Sequence, residues 1–260
     1  MRPTRVERSA HSRKLALLMA RAVIFAGGPG TRLRPFTTVL PKPLMPIGDR
    51  PILDIVMRQL ARYGFERITI ASGYLSELIE AFFRDGSAYG LRIDYHIERE
   101  PLGTMGALAS IEALDSEDDF VVMNGDILTD LDYRVLFDAH RSSDATATIA
   151  THKKSVEVSL GVMKFEDRDD STRLTGFVEK PTYHYEVSMG IYCFTRGVLD
   201  YVEPNVRLDF PDLIQTLVAD GRIVRGYPFA GYWMDIGRHE DYQEAADEFE
   251  EYRSRLLPDE

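Results

Sequence analysis

Residues 22–35 read Ala22-Val-Ile-Phe-Ala-Gly-Gly-Pro-Gly-Thr-Arg-Leu-Arg-Pro35. The apolar run predicts a buried first strand, and the glycines behind it predict a tight turn. Glycines placed directly after a strand let backbone N–H groups approach a phosphate or a base without a Cβ in the way. Two nucleotide-binding templates can be set against this turn. A P-loop needs a Lys directly after its last glycine, and none follows. The dinucleotide fingerprint needs a third glycine where Leu33 stands. Both templates fail. What remains is the glycine turn, Arg32 two residues beyond it, and Lys42 ten further on. A plain Gly/Pro-rich connection fits that spacing as well.

Outward from the turn, short apolar runs alternate with helical patterns, the rhythm of an α/β protein with a largely parallel sheet. Strands are predicted at 22–26, 67–71, 91–97, 120–123, 145–151, 160–165, 174–177, 189–194, 223–227 and 232–234. Helices are predicted at 52–63, 75–83, 104–114, 133–140, 210–219 and 240–256. The helix at 210–219 is opened by Asp209-Phe-Pro. No internal repeat or low-complexity linker interrupts the pattern, so residues 21–260 read as one domain. Residues 1–20 read as a flexible basic extension. Its apolar stretch faintly resembles a signal peptide but runs through Arg21 into the first strand.

Of 260 residues, 44% are hydrophobic and 28% charged, the balance of an ordinary globular chain. The formal net charge is −11, which argues against nucleic acid or an anionic membrane as partner. The acidity is uneven. Asp235 to Glu260 carries ten acids and three arginines, whereas Gly28 to Arg50 carries four basic residues and one acid. An acidic protein thus has a basic loop able to hold a small anion. The single cysteine excludes an internal disulfide, and no apolar run approaches the ~20 residues of a membrane span. The cytoplasm is the expected location.

Six motifs follow one another in order. They are Gly27-Gly-Pro-Gly-Thr-Arg-Leu-Arg-Pro with Pro41-Lys-Pro-Leu-Met-Pro-Ile, Glu98-Arg-Glu-Pro-Leu-Gly-Thr-Met-Gly-Ala, Asn124-Gly-Asp, Phe177-Val-Glu-Lys-Pro, Met189-Gly-Ile-Tyr, and Gly231-Tyr-Trp-Met-Asp-Ile-Gly. In this order they resemble the sugar-1-phosphate nucleotidylyltransferases, and the last motif looks most like the mannose-1-phosphate guanylyltransferases. The resemblance covers Ala22 to about Tyr242. It implies a Rossmann-like three-layer α/β/α sandwich around a mixed, mostly parallel sheet, without the C-terminal left-handed β-helix of many relatives.

It also implies a reaction. A sugar-1-phosphate oxygen attacks the α-phosphorus of an NTP, and pyrophosphate leaves. Both reactants are anionic, so the catalyst must offset charge and align the attack. By resemblance Arg32 and Lys42 are catalytic and contact the reacting phosphates, with the arginine fork suited to phosphate oxygens. Asp126 and Asp235 are implied to hold Mg²⁺, a cation that prefers one or two carboxylates plus phosphates and water. Ala26, Gly27, Gly28, Gly30, Thr31, Glu98, Gly103 and Thr104 are implied for the nucleotide. Gly161, Glu179, Lys180, Ser188 and Gly190 are implied for the sugar phosphate.

The base is read from Glu98. Guanine offers adjacent N1–H and N2–H₂ donors, which a carboxylate accepts together, whereas uridylyl relatives tend to carry Gln. GTP is therefore favoured, with Glu100 the competing residue and an exposed surface carboxylate the plain alternative. Three departures from the family pattern stand out: Ser188 in place of a usual Asn, Arg238-His239 in place of Thr/Gln-Pro, and Met105 in place of Ala. Ser188 leaves the sugar open among mannose, manno-heptose, glucose and amino sugars. A uridylyl- or thymidylyltransferase, a non-catalytic nucleotide-sugar binder, and a homo-oligomer all remain compatible. The six histidines form no ligand set, and Cys193 and Trp233 read as packing residues.

Overall fold

Strand β1 (Arg21–Phe25) sends Ala22 and Ile24 to one face and Val23 to the other, and all three are fully buried. A strand apolar on both faces needs cover on both, which is the condition of a parallel sheet between helical layers. In this computed structural model, which describes residues 20–166 and 173–258, β1 lies inside a seven-stranded sheet. The other strands of that sheet are β4 (Arg67–Ser72), β5 (Arg92–Ile97), β6 (Asp119–Asn124), β8 (Ala147–Glu157), β11 (Thr182–Thr195) and β12 (Val224–Phe229), in the order β12-β8-β11-β6-β1-β4-β5. Neighbours pair parallel except at β11, which runs antiparallel to both β6 and β8. The sheet is therefore mixed and mostly parallel. Three two-stranded ribbons flank it: β2 (Pro46–Ile47) with β3 (Arg50–Pro51), β7 (Ile127–Thr129) with β13 (Trp233–Asp235), and β9 (Val162–Phe165) with β10 (Leu174–Val178).

Helices α1 (Ile52–Arg62), α2 (Ser76–Phe83) and α3 (Tyr133–Arg141) pack Leu53, Val56, Leu60, Ile79, Phe83 and Leu136 onto the Ile24 face. Helix α4 (Phe210–Ala219) and several 3₁₀ turns pack Leu213, Leu217, Leu108, Leu114 and Val198 onto the Val23 face. Helix α5 (His239–Leu256) closes a third cluster, laying Ala245, Phe249 and Leu256 on Leu33, Ile47 and Ile55. The three layers stand as the sequence implies. Among the described residues no helix is long and apolar enough to cross a membrane. The predicted extension at 1–20 lies, Ala20 apart, outside the described residues.

One helix is corrected. Residues 104–114 form two 3₁₀ segments, Gly106–Ser110 and Glu112–Ser116. The run is broken at Ile111, whose φ −90° and ψ 87° lie outside the helical region; the Met105 N–H at its start donates to the Leu208 carbonyl at 2.9 Å. Strand β11 is also longer than the predicted 189–194, because its first half pairs with the outer part of β8 as an extended ribbon.

Candidate active site

The sheet order reverses at β1. Its neighbour on one side is β4, reached directly, and on the other side β6. Loops leaving β1 and β6 therefore diverge from adjacent strand ends and open a crevice, the place where α/β sheets bind ligands. A cleft of about 770 Å³ lies there. Its wall includes Ala26, Gly27, Gly28, Gly30, Thr31, Arg32, Lys42, Glu98, Gly103, Thr104 and Asp126. The sequence spread these residues over a hundred positions, and the strand ends bring them together.

Each is held by its own local chemistry. Gly30 sits at φ +56°, where a Cβ would meet Thr37 at 2.8 Å. The buried Thr37 hydroxyl donates to the Gly30 carbonyl at 2.8 Å, which fixes the turn. Arg32 leaves that turn and is exposed to the cleft. Pro41 and Pro43 restrict the backbone around Lys42, and a 3₁₀ turn over Lys42–Leu44 presents its side chain. The Lys42 ammonium donates to Asp126 Oδ2 as a salt bridge.

Asp126 and Asp235, far apart in sequence, are carried together by the β7–β13 ribbon. Asp235 pairs with Ile127 there, and the Ile236 N–H donates to the Asp126 carbonyl at 3.2 Å. Asp235 keeps solvent access, but partial desolvation, and then the Asp126 charge, push its pKa above the usual carboxylate value; Lys42 and Arg32 oppose that shift. Asp126 Oδ1 is buried with no hydrogen-bond partner. A buried acceptor without a donor is costly, and a cation beside it would remove that cost. Among the described residues no group of three or more His, Cys, Asp or Glu surrounds a metal position. A hard divalent cation would thus rest on Asp126 Oδ1 and Asp235, with its other positions left to phosphate and water.

Another part of the cleft wall is acidic. Glu98 is half-buried, and its Oε1 would stand 3.2 Å from a Cβ placed on Gly27. Its Oε2 accepts from the Leu102 N–H at 3.4 Å. Desolvation raises its pKa, with the Leu102 bond opposing. A carboxylate repels phosphate but suits a base edge carrying N–H donors. The positive charge of the cleft wall is thus on the Arg32 and Lys42 side. Glu100 is exposed and does not line this cleft.

The sugar-side residues are not gathered onto this wall. Glu179 and Lys180 are exposed just past β10, with Glu179 beside Gly161. Lys180 has φ +45°, an uncommon conformation for lysine. Ser188 is exposed on β11; its hydroxyl donates to the Tyr192 hydroxyl and accepts from the Gly190 N–H, both at 3.3 Å. Gly190 is buried beside the Asn124 amide. Tyr192 lies close enough to Asp235 and Asp126 for both to reinforce the rise that desolvation gives its pKa. Trp233 donates from Nε1 to the Met189 carbonyl at 3.0 Å and, like the buried Cys193, is a packing residue.

Sequence reasoning missed three residues. Arg207 and Asp209 line the cleft from the segment before α4. Asp241 accepts from the Gly237 and Arg238 N–H groups at 3.2 and 2.7 Å, which fixes the turn after Asp235. Asp209-Phe-Pro reads locally as a helix start, and nothing in it announces a partner on another segment.

A family model described as "Nucleotidyl transferase" matches residues 21–252. A mannose-1-phosphate guanylyltransferase of Mycobacterium tuberculosis is 35% identical over 227 residues, covering 85% of this chain and 62% of that protein. A UTP–glucose-1-phosphate uridylyltransferase of Synechocystis sp. is 35% identical over 243 residues, covering 86% and 62%. The chain thus spans less than two thirds of the length of these curated relatives. Among solved structures, HddC of Yersinia pseudotuberculosis in complex with GMP-PN has a TM-score of 0.68 and 26% identity, covering 89% of this chain and 100% of that one. A Bacillus anthracis structure described as a glucose-1-phosphate thymidylyltransferase, with a sucrose, has a TM-score of 0.70 and 25% identity, covering 88% and 94%.

Proposed function

Because this chain belongs to the nucleotidyl transferase family, we propose that it joins an NTP to a sugar-1-phosphate, releasing an NDP-sugar and pyrophosphate. One observation carries the reading. Arg32, Lys42, Asp126 and Asp235 converge beside a glycine turn at the switch point of the sheet, and Asp126 Oδ1 is buried there without a hydrogen-bond partner.

In the reaction a phosphate oxygen of the sugar-1-phosphate forms a bond to the α-phosphorus. The bond from that phosphorus to the α–β bridging oxygen breaks, and its electron pair leaves with pyrophosphate. No covalent intermediate with the protein is needed, so catalysis is alignment plus charge neutralisation. Arg32 supplies a bidentate fork to the β- and γ-phosphates. Lys42, steered by Asp126 Oδ2, offsets charge at the α-phosphate. Asp126 and Asp235 fit Mg²⁺, which when bound would add charge neutralisation and orient the α-phosphate. Glu179 would accept from sugar hydroxyls, and Lys180 would hold the sugar phosphate.

For the base we favour GTP, because the half-buried Glu98 carboxylate matches the two donors of guanine. Mannose-1-phosphate or a manno-heptose-1-phosphate is the favoured acceptor. Uridylyl or thymidylyl transfer to glucose-1-phosphate or an amino-sugar-1-phosphate is the alternative. Both the reaction and its small-molecule partners point to the cytoplasm.

The test is a pyrophosphate-release screen of four NTPs against a panel of sugar-1-phosphates, with and without Mg²⁺. Turnover with GTP and a manno-configured sugar is expected. Silence across the panel, together with tight binding of an NDP-sugar, would replace the enzyme by a non-catalytic binder.

A further inference from the structure

The turn at Leu102–Thr104 contributes Gly103 and Thr104 to the wall of the cleft and is held from two sides. On one side, Glu98 Oε2 accepts from the Leu102 N–H at 3.4 Å. On the other, Asp209 Oδ1 accepts from the Thr104 N–H at 3.2 Å. Asp209 Oδ2 accepts from Arg207 Nη2 at 3.0 Å, so the aspartate stays paired where it enters the cleft.

The exchange is reciprocal. Asp209 is the N-cap of α4, yet its side chain makes no capping bond to its own helix. The Phe210 N–H of that helix donates instead to the Thr104 hydroxyl at 2.7 Å. Each segment thus caps the other, as the two ends of a capping box do, but across 105 residues of sequence. Main-chain bonds reinforce the clamp: Met105 N–H to the Leu208 carbonyl and Leu208 N–H to the Leu102 carbonyl, both at 2.9 Å. Gly103 lies between, at φ +79°, where a Cβ would stand 2.6 Å from both Asp209 Oδ1 and the Leu208 carbonyl.

We propose that Asp209 is a positioning residue for nucleobase discrimination. It fixes the Leu102–Thr104 turn, and through the Leu102 N–H it fixes the Glu98 carboxylate that reads the base. The clamp takes the Thr104 N–H and one lone pair of its hydroxyl, leaving the hydroxyl's own O–H available as a donor. The inference rests on the nucleotide-binding reading of the cleft and deepens it. It does not require turnover.

Three variants separate positioning from mere stability. Asp209→Ser keeps a good N-cap for α4 but is too short to reach Thr104 and Arg207. Asp209→Asn keeps the acceptor oxygen for Thr104. Asp212→Ala removes an exposed acid from the first turn of α4 and leaves the clamp intact. Binding of GTP, ATP, UTP and dTTP to the full chain is measured by calorimetry with Mg²⁺, alongside thermal melting and the pyrophosphate assay. Asp209→Ser is expected to reduce the ratio between the best and the next-best nucleotide about tenfold, the scale of a small displacement of a recognition group. In turnover, the loss is expected mainly in KM for the NTP rather than in kcat. Asp209→Asn should restore the ratio, and Asp212→Ala should leave it at the parental value whatever its melting temperature.

An unchanged ratio in Asp209→Ser would overturn the inference while the nucleotidyl-transfer reading stood. A parent that binds no nucleotide, or binds all four alike, would also overturn it. A parent that discriminates bases but never turns over would sink the proposed reaction alone, leaving the clamp to be judged on binding. Should Asp209→Ser fail to fold, Asp209→Asn with Arg207→Met, which weakens the same clamp, replaces it; the same two readings of the ratio apply.

Discussion

The strand ends around Asp126 and the β9–β10 ribbon both carry motif residues, but they are built differently. Asp126 stands at the end of a strand flanked on both sides, above a core in which Phe120, Val122 and Met123 are fully buried. Its neighbours Lys42 and Asp235 arrive on segments tied down by prolines, a ribbon and the Asp241 cap. Among the described residues the β9–β10 ribbon pairs only with itself. On one of its faces Met163 opposes Phe177 and Phe165 opposes Leu174, and all four side chains are at least half exposed. Two strands alone are marginal in water. The Lys42–Asp126–Asp235 cluster is therefore preorganised, whereas Glu179 and Lys180 hang from a weakly supported element. A motif specifies chemistry, and its surroundings decide how firmly that chemistry is held.

The largest expected effect tests the rigid side. Phe120→Ala should cost about 3–5 kcal/mol in denaturant unfolding, since it empties a closed core site. A cost near 1 kcal/mol would mean that the sheet beneath the site repacks easily. Asp126→Asn should lower turnover by about a thousandfold, with the fold intact by circular dichroism. Activity within tenfold of the parent would refute the assignment of Asp126.

On the ribbon side, Lys180→Ala should raise KM for the sugar-1-phosphate about tenfold and change kcat less, as expected for a lost binding contact. An equal fall in kcat would show that the ribbon is as well placed as the strand ends. Smaller still is a stability effect at Asp235. Its folded pKa lies above the ordinary value, so its contribution to stability is present below the unfolded pKa and lost as pH rises through the folded one. At neutral pH the ionised form therefore costs stability. Asp235→Asn should melt slightly higher than the parent at pH 7, and the gap should close as pH falls toward about 4. A gap that widens on acidification would contradict this. Smallest of all, Phe177→Ser should change stability by no more than about 0.5 kcal/mol. A large loss would reveal cover on the ribbon's apolar face.

Much of the site was legible because its residues sit in short local patterns. The glycine turn behind an apolar strand, the lysine between prolines and the aspartate after a buried strand each declare themselves within ten residues. Glu98 could be picked out, and the fold then placed Glu100 outside the cleft. Legibility ended where a role depends on a distant partner. Residues 104–114 look helical by spacing, but Ile111 breaks the run and the segment is tied to Leu208 on a distant stretch of chain.

The sequence by itself determined the alternation of strand and helix, the basic turn in an acidic chain, and the residue types of the candidate site. These follow from local burial periods and side-chain chemistry. Only the tertiary structure decided that Asp126 meets Asp235, that Asp209 clamps the turn beside Glu98, and that Glu179 and Lys180 stay on a separate ribbon. Each of these depends on which strands become neighbours and in what register. That outcome is a competition among all the elements for one sheet and one core, and no single stretch of sequence encodes it.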